Sequence, residues 1–159
     1  MNKTLQHLFI ESQGKPVLLG DLVVKQGDRI PISSGRVTIR FLSGCDKDRG
    51  VRMKLSKGWI QLSDGKHAQT VYTWRTPGLP DEVSYNVSCP EGFLKICNIY
   101  RVHHADGLVT EEMWTGNAGI VVLSEQTNKK VYGCSPGGCG EFNPRDLVVE
   151  LEWEELAVE

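Results

Sequence analysis

Two cysteines separated by a short turn are the first candidates for chemistry in this sequence. Cys134 and Cys139 flank Ser-Pro-Gly-Gly in the segment VYGCSPGGCGEF. Zinc knuckles usually space two thiols by about two to four residues, but a structural zinc site is generally four-coordinate, and no second pair of this spacing is present. Redox pairs generally have Cys-x-x-Cys spacing at the start of a helix. We therefore interpret the segment as a plain loop, with a disulfide or a metal clip as the alternatives.

The adjacent histidines His103 and His104 are the second candidates. Successive residues on a regular strand point to opposite faces, so one metal ion cannot contact both rings unless a bulge intervenes. Asp106-Gly107 is typical of a two-residue type I′ hairpin turn. The pattern therefore predicts a hairpin with the histidines near its tip.

That turn also predicts which residues face each other across the hairpin. Opposed residues share one face of a sheet. In this register Glu111 lies diagonal to His104, where it can serve as a metal ligand or proton partner, and Arg101 forms a cross-strand ion pair with Glu112. The predicted opposed pairs are His104 with Val109, His103 with Thr110, Val102 with Glu111, Arg101 with Glu112, and Tyr100 with Met113.

The segment from Gly44 to Gly50 contains the Asp-x-Asp opening of a calcium loop, formed by Asp46 and Asp48. The third oxygen position is a glycine, and no glutamate stands at the closing position that such loops require. Lys47 and Arg49 also offset the two carboxylates. We interpret this segment as a solvated turn, and the sequence predicts no metal ion and no cofactor.

The composition of the chain argues against some classes of binding partner. Its 159 residues, which we expect to form one domain spanning 1–159, carry a formal net charge of −2 and have a pI of about 6.1. No overall basic field therefore favours nucleic acid or anionic lipid, and no apolar run reaches the roughly 18 residues of a membrane helix. An odd number of cysteines, five, and the lack of a signal-peptide pattern favour a reduced, cytoplasmic protein.

Period-2 alternation of apolar and polar residues, which is typical of half-buried strands, dominates the chain. It is clearest in GRVTIRF, VRMKL, EVSYNVS and LVVELEW, and turn residues separate these segments from one another. The pattern predicts an all-β fold, an antiparallel β-sandwich or partly closed barrel of about ten to twelve short strands. Further strands are predicted near 5–10, 16–25, 58–63, 68–74, 93–104, 108–114, 118–124 and 129–133.

The C-terminal alternation places carboxylates on one face of a strand. Glu150, Glu152 and Glu154 are predicted to face outward, opposite a core-facing row formed by Leu147, Val149, Leu151 and Trp153. Such a row is either an exposed edge strand guarded by charge or a surface for a basic partner.

Three hypotheses for function remain open at this level. The first is a non-catalytic binding protein, similar in size and pI to inhibitors or immunity proteins, that acts through a protein–protein interface and not on nucleic acid or a membrane. The second is a metal- or thiol-dependent enzyme or sensor using His103 or His104, Glu111 and Cys134 with Cys139. The third is a small-ligand binder with an aromatic-lined pocket between the sheets. The predicted binding residues are Glu150, Glu152, Glu154, Arg101, His103, His104 and Glu111.

Overall fold

The computed structural model describes residues 3–44, 48–78, 80–137 and 141–156. Within these ranges the chain forms one short helix and fourteen strands. The elements are α1 (Leu5–Glu11), β1 (Val17–Leu19), β2 (Leu22–Val24), β3 (Asp28–Pro31), β4 (Ser34–Ser43), β5 (Arg49–Lys54), β6 (Trp59–Gln61), β7 (His67–Ala68), β8 (Thr70–Trp74), β9 (Glu82–Ser88), β10 (Phe93–His103), β11 (Val109–Glu112), β12 (Gly119–Gln126), β13 (Lys129–Ser135) and β14 (Leu147–Glu155).

The strands form three antiparallel sheets, which confirms the predicted all-β class. The seven-stranded sheet has the order β12-β13-β14-β4-β9-β6-β7. The five-stranded sheet has the order β11-β10-β5-β8, with β3 also paired to β10, and β1 with β2 forms a hairpin. Two of the segments predicted as single strands, 16–25 and 68–74, are each divided into two short strands, and β3 was not predicted.

The core lies between the two large sheets and is built from the alternating apolar residues. Ile39 and Leu151 of the seven-stranded sheet and Met53 and Leu94 of the five-stranded sheet are all fully buried in one cluster. Burying both inner faces in this way is what gives a sandwich its stability. The two outer faces are therefore the surfaces on which polar side chains are displayed.

The prediction of a strand at 5–10 is wrong, because this segment is helix α1. Thr4 caps its N-terminus by accepting a hydrogen bond from the backbone of His7, as a threonine at this position commonly does. Leu5 and Phe9, spaced by one helical turn, are both buried. They pack on Val121 of β12 and on the β1–β2 hairpin in a second apolar cluster. No helix in the described part of the chain is long and apolar enough to cross a membrane.

The orientation predicted for the C-terminal segment is confirmed, but its proposed position at a sheet edge is wrong. Leu147, Val149, Leu151 and Trp153 are buried, whereas the glutamates between them point outward. Strand β14 lies in the middle of the seven-stranded sheet, paired with β13 on one side and β4 on the other. Both rows of its backbone groups are therefore used, and it presents no open edge to another chain.

Candidate functional site

The acidic row on β14 is partly neutralised within the protein. Arg40 of β4 donates to Glu150 at 2.7 Å and to Glu152 at 2.9 Å, and its Nε donates to Glu82 at 2.7 Å. The hydrogen bonds that Arg40 donates to Glu150 and Glu152 raise the pKa of its guanidinium. Glu154 is the exposed end of the row. The acidic row is therefore a charge network centred on one arginine, and it stands on the outer face of the seven-stranded sheet.

The β10–β11 hairpin forms as predicted, but its register is one residue away from the predicted one. His103 lies opposite Val109 and Arg101 lies opposite Glu111. The loop has three residues, because Gly107 donates to the carbonyl of His104 at 3.0 Å and His104 donates to the carbonyl of Leu108 at 2.8 Å. This is the type I turn followed by a left-handed residue that three-residue hairpin loops favour, with Gly107 at φ +88°.

The slip in register changes the partners of the charged side chains. Arg101 pairs with Glu111 at 3.8 Å, not with Glu112. Glu111 is thereby removed from His104, which lies 3.8 Å from Glu112 instead. The predicted combination of His104 with Glu111 is therefore wrong.

The two histidines face opposite sides, as strand geometry requires, and each contacts a different carboxylate. His103 Nε2 lies 2.8 Å from Asp48, and His104 Nε2 lies 2.8 Å from the Thr110 hydroxyl, which donates to Glu112. Among the described residues, no three histidine, cysteine or acidic side chains are grouped closely enough to hold a metal ion. Asp46 and Lys47 of the candidate calcium loop lie outside the described residues.

Two described positions of the loop after β13, Gly137 and Asn143, make close contacts with the rest of the protein. The backbone amide of Asn143 donates to the Ser135 hydroxyl at 2.9 Å. Gly137 approaches the Tyr100 hydroxyl and the carbonyl of Thr115 so closely that any Cβ there would overlap them. Glycine is therefore required at this position for space.

The thiol chemistry considered for this loop falls only partly within the described residues. Cys139 lies outside them. Cys134 is fully buried, and burial raises the pKa of its thiol. A protonated thiol is a poor nucleophile and metal ligand, so the environment of Cys134 favours a structural role.

The grooves described on the molecule open on its surface. One of them, of about 760 Å³, is lined by polar residues, by the aliphatic Leu62, Val71 and Val83, and by Tyr72 and Tyr85. The interior between the sheets is filled by the apolar core. Residues of β8 from the five-stranded sheet and of β6 and β9 from the seven-stranded sheet line the 760 Å³ groove, with Tyr72 and Tyr85 among them, so the small-ligand hypothesis stays a prediction.

The outer face of the five-stranded sheet carries a different chemistry, and we call it the basic face. It displays the outward side chains of β3, β5, β8 and β10, with Trp114 at its margin. Cross-strand registers place Lys95 directly opposite Arg29 of β3 on one side and Lys54 of β5 on the other. Arg52 lies opposite Cys97. The basic face is defined by Arg29, Arg52, Lys54, Lys95 and Arg101, with Tyr72, Trp74, Phe93 and Trp114.

The row of three cations across β3, β10 and β5 is electrostatically unfavourable by itself. Like charges directly opposite each other destabilise a sheet. Arg29, Lys54 and Lys95 are exposed, so water screens much of this repulsion. None of the three forms an ion pair with a described carboxylate, and neither does Arg52. A chain with a net charge of −2 therefore concentrates unpaired positive charge on this face.

Arginine–aromatic stacking accompanies the charge. The guanidinium of Arg101 lies 3.9 Å from the centre of the Trp74 ring, that of Arg29 lies 4.4 Å from Phe93, and that of Arg52 lies 5.4 Å from Trp114. All three cation–π contacts found in the described chain thus belong to the basic face. Such stacking holds a guanidinium in place while leaving its N–H groups able to bind oxygen acceptors.

None of the protein-family models, curated protein sequences or solved structures compared with this chain matches it. Its function must therefore be inferred from its own residues.

Of the predicted site residues, Arg101, His103 and Glu111 lie at the hairpin end of the basic face. The glutamates of β14 lie on the opposite outer face, and His104 points to the other side of its strand. No sequence signal indicated the cation row, because residues 29, 54 and 95 are far apart in the chain. The stacked pairs were also missed, since each arginine lies over a ring from a different strand or loop, and such contacts exist only once the strands are in register.

Proposed function

We propose that this protein is a non-catalytic binding protein whose basic face takes an acidic surface of a protein partner. The observation that carries this proposal is the cation row formed by Arg29, Lys95 and Lys54, with Arg52 beside it and no ion pair to described carboxylates. Natural interfaces place complementary charges against each other, which speeds encounter and selects the partner. A row that repels itself in the free protein is stabilised when carboxylates approach it.

The chemistry of the face favours a protein over single-stranded nucleic acid. Nucleic-acid surfaces of this kind offer open aromatic faces on which bases stack. Here the rings of Trp74, Phe93 and Trp114 each have an arginine over one face, and Tyr72, 45% exposed, is the aromatic residue of the face without such a partner. Arginine, tryptophan and tyrosine are the residues enriched where protein interfaces hold most of their binding energy.

The residues predicted from the sequence enter this proposal in two ways. Arg101, His103 and Glu111 extend the basic face toward the hairpin tip, so they belong to the proposed interface. The acidic row of Glu150, Glu152 and Glu154 stays a separate prediction, because Arg40 already neutralises much of it. The proposal includes an inhibitor- or immunity-like role, which the size and pI of the chain suit, and the odd cysteine count favours a reducing cytoplasm as its compartment.

A charge reversal at the centre of the row tests the proposal. Lys95→Glu places a carboxylate between Arg29 and Lys54, so two favourable cross-strand pairs replace two repulsive ones. We expect its thermal stability to equal or exceed that of the wild type. Its matched control is Lys66→Glu, the same change at an exposed lysine in the turn between β6 and β7 of the other sheet.

The measurement is affinity capture from an extract of the source cell, with and without nuclease, quantified by mass spectrometry. The proposal expects a protein that both the wild type and Lys66→Glu retain and that nuclease treatment does not release. Lys95→Glu should retain about tenfold less of it, or still less. A retained set that Lys95→Glu leaves unchanged contradicts the proposal. Retention that disappears with nuclease identifies nucleic acid as the partner and also contradicts it.

A further inference from the structure

A pocket of about 520 Å³ opens on the basic face beside Trp114, and we call it the Trp114 pocket. It lies between the segment that leads into β3 and the outward side chains of β5 and β10. Five cationic residues line it, against one carboxylate. Its lining includes Lys25, Arg29, Arg52, Lys54 and Lys95, together with Asp28, Gly27 and Trp114.

The single carboxylate of the lining does not neutralise these cations. Asp28 accepts hydrogen bonds from the Tyr132 hydroxyl at 2.7 Å and from Lys130 at 3.0 Å. Its other oxygen lies 3.3 Å from Lys25. With Asp28 engaged in this way, the four remaining cations of the pocket are left without a described acidic partner.

The position of Arg52 is fixed before any ligand arrives. Its guanidinium lies over the Trp114 ring, and the indole N–H of Trp114 donates to the carbonyl of Gln26 at 2.9 Å. The Nε of Arg52 is buried, and no described residue accepts its hydrogen bond. A buried donor without an acceptor is uncommon, which marks Arg52 as an unusual residue of this pocket.

The backbone around the pocket is also constrained. Trp114 has φ +66°, a left-handed conformation that is uncommon for a bulky residue and is often found at functional sites. Gly27 approaches β10 so closely that a Cβ would lie 2.7 Å from the carbonyl oxygen of Ile96. This close approach brings the cations of β3 and β10 to the same opening.

We propose that the Trp114 pocket binds a phosphoryl group, either free as a small polyphosphate or carried on a protein as a phosphorylated side chain. Four unpaired cations match a group with two or more negative charges better than a single carboxylate, which carries one. Arginine binds such groups through paired N–H donors and lysine binds them as a point charge. The pocket belongs to the face of the proposed function, but phosphoryl binding does not require an acidic protein partner and is tested separately from it.

Isothermal titration with inorganic pyrophosphate, at a fixed ionic strength of about 0.15 M because exposed charges are screened by salt, tests the site. We expect saturable one-to-one binding, accompanied by a change in tryptophan fluorescence that Trp114→Phe abolishes. Lys95→Gln and Arg52→Gln should each weaken binding by about tenfold or more. The matched control is Lys66→Gln, an exposed lysine in the β6–β7 turn, which should change affinity by less than about twofold.

A titration with acetate and a phosphoserine peptide distinguishes the sources. Tighter binding of the peptide than of pyrophosphate supports a phosphorylated protein as the ligand, and the reverse order supports a free polyphosphate.

The inference is overturned if pyrophosphate shows no saturable binding at millimolar concentration, if acetate binds as tightly, or if Lys66→Gln weakens binding as much as Lys95→Gln. Since Lys95 is exposed, its variant remains informative even if Arg52→Gln fails to fold. If pyrophosphate binds but no partner is captured, this inference is upheld and the proposed function is contradicted. If a partner is captured but pyrophosphate does not bind, the proposed function is upheld and this inference is overturned.

Discussion

Replacing Asp28 with asparagine removes a charged contact that joins the two large sheets. Asp28 begins β3 in the five-stranded sheet, whereas its partners Lys130 and Tyr132 belong to β13 in the seven-stranded sheet. Lys130 is only 9% exposed, so in the variant its ammonium loses its closest counter-charge in a place with little water. Asparagine keeps the shape of the side chain, and the change therefore isolates the effect of charge.

The expected loss follows from what remains around Lys130. Removing one member of a buried ion pair costs about 3–5 kcal/mol. Lys130 keeps Glu125 at 3.4 Å, and the asparagine amide oxygen still accepts from Tyr132, so we expect a loss of about 2–3 kcal/mol in the free energy of unfolding. In urea this corresponds to a fall in midpoint of about 1 M. Asp21→Asn, the same change in the exposed β1–β2 turn, should stay within about 0.5 kcal/mol of the wild type.

The pH dependence gives a sharper test of the same contact. Burial raises the pKa of the Asp28 carboxyl, but the hydrogen bonds from Tyr132 and Lys130 outweigh it, so the net pKa lies below its ordinary value of 3.8. A depressed folded-state pKa means that the carboxylate stabilises the protein above the unfolded pKa and that this stability is lost as pH falls through the folded pKa. The difference between wild type and Asp28→Asn should therefore be complete at pH 7 and shrink below about pH 4. Equal urea midpoints at pH 7, or a difference that persists undiminished at low pH, would refute the reasoning.

Three further perturbations test local features. Gly107→Val should lower the melting temperature and destabilise the protein by at least about 1–2 kcal/mol, since φ is +88° there. Gly107→Asn should destabilise the protein less. Equal melting temperatures for the two variants would contradict the loop conformation. Gly137→Ala should destabilise the protein by about 1–3 kcal/mol, because the added methyl group overlaps the Tyr100 hydroxyl. In a double-mutant cycle, Tyr100→Phe should recover part of this loss. If the stability losses of the two single variants simply add, the contact is not present. Burial raises the pKa of Cys89 to about 11 and also raises the pKa of the Cys134 thiol. Iodoacetamide at pH 8 should therefore label both cysteines only after the protein is unfolded, as measured by peptide mass spectrometry. If the native protein is labelled as fast as the unfolded protein, the thiols are not buried in this way.

The strands could be predicted because their cause is local. Alternation such as Val37, Ile39 and Phe41 specifies which side of a strand is buried, whatever its neighbours are. Helix α1 was missed because it has only seven residues and its apolar residues Leu5 and Phe9 also fit a short strand. A segment of this length is too short to distinguish the periodicity of a helix from that of a strand.

The arrangement of the strands could not be predicted, because it depends on partners distant in the chain. Nothing in LVVELEW indicates that β4 and β13 flank β14, so an interior strand with an acidic face resembled a guarded edge. Asp106-Gly107 fits both a two-residue turn and a three-residue loop with glycine in the left-handed position, and the choice between them moved Glu111 away from His104. The cation row likewise exists only once β3, β10 and β5 are in register.

The affinity of the captured partner for wild-type protein and for Lys95→Glu, measured at low and high salt, tests the basic face most directly. We expect Lys95→Glu to weaken binding by about tenfold or more at about 0.05 M salt, and this difference in affinity to narrow at about 0.5 M salt as screening increases. Lys66→Glu should bind like the wild type. Equal affinities for wild type and Lys95→Glu at low salt, or an equal loss of affinity in Lys66→Glu, would contradict a partner interface on this face.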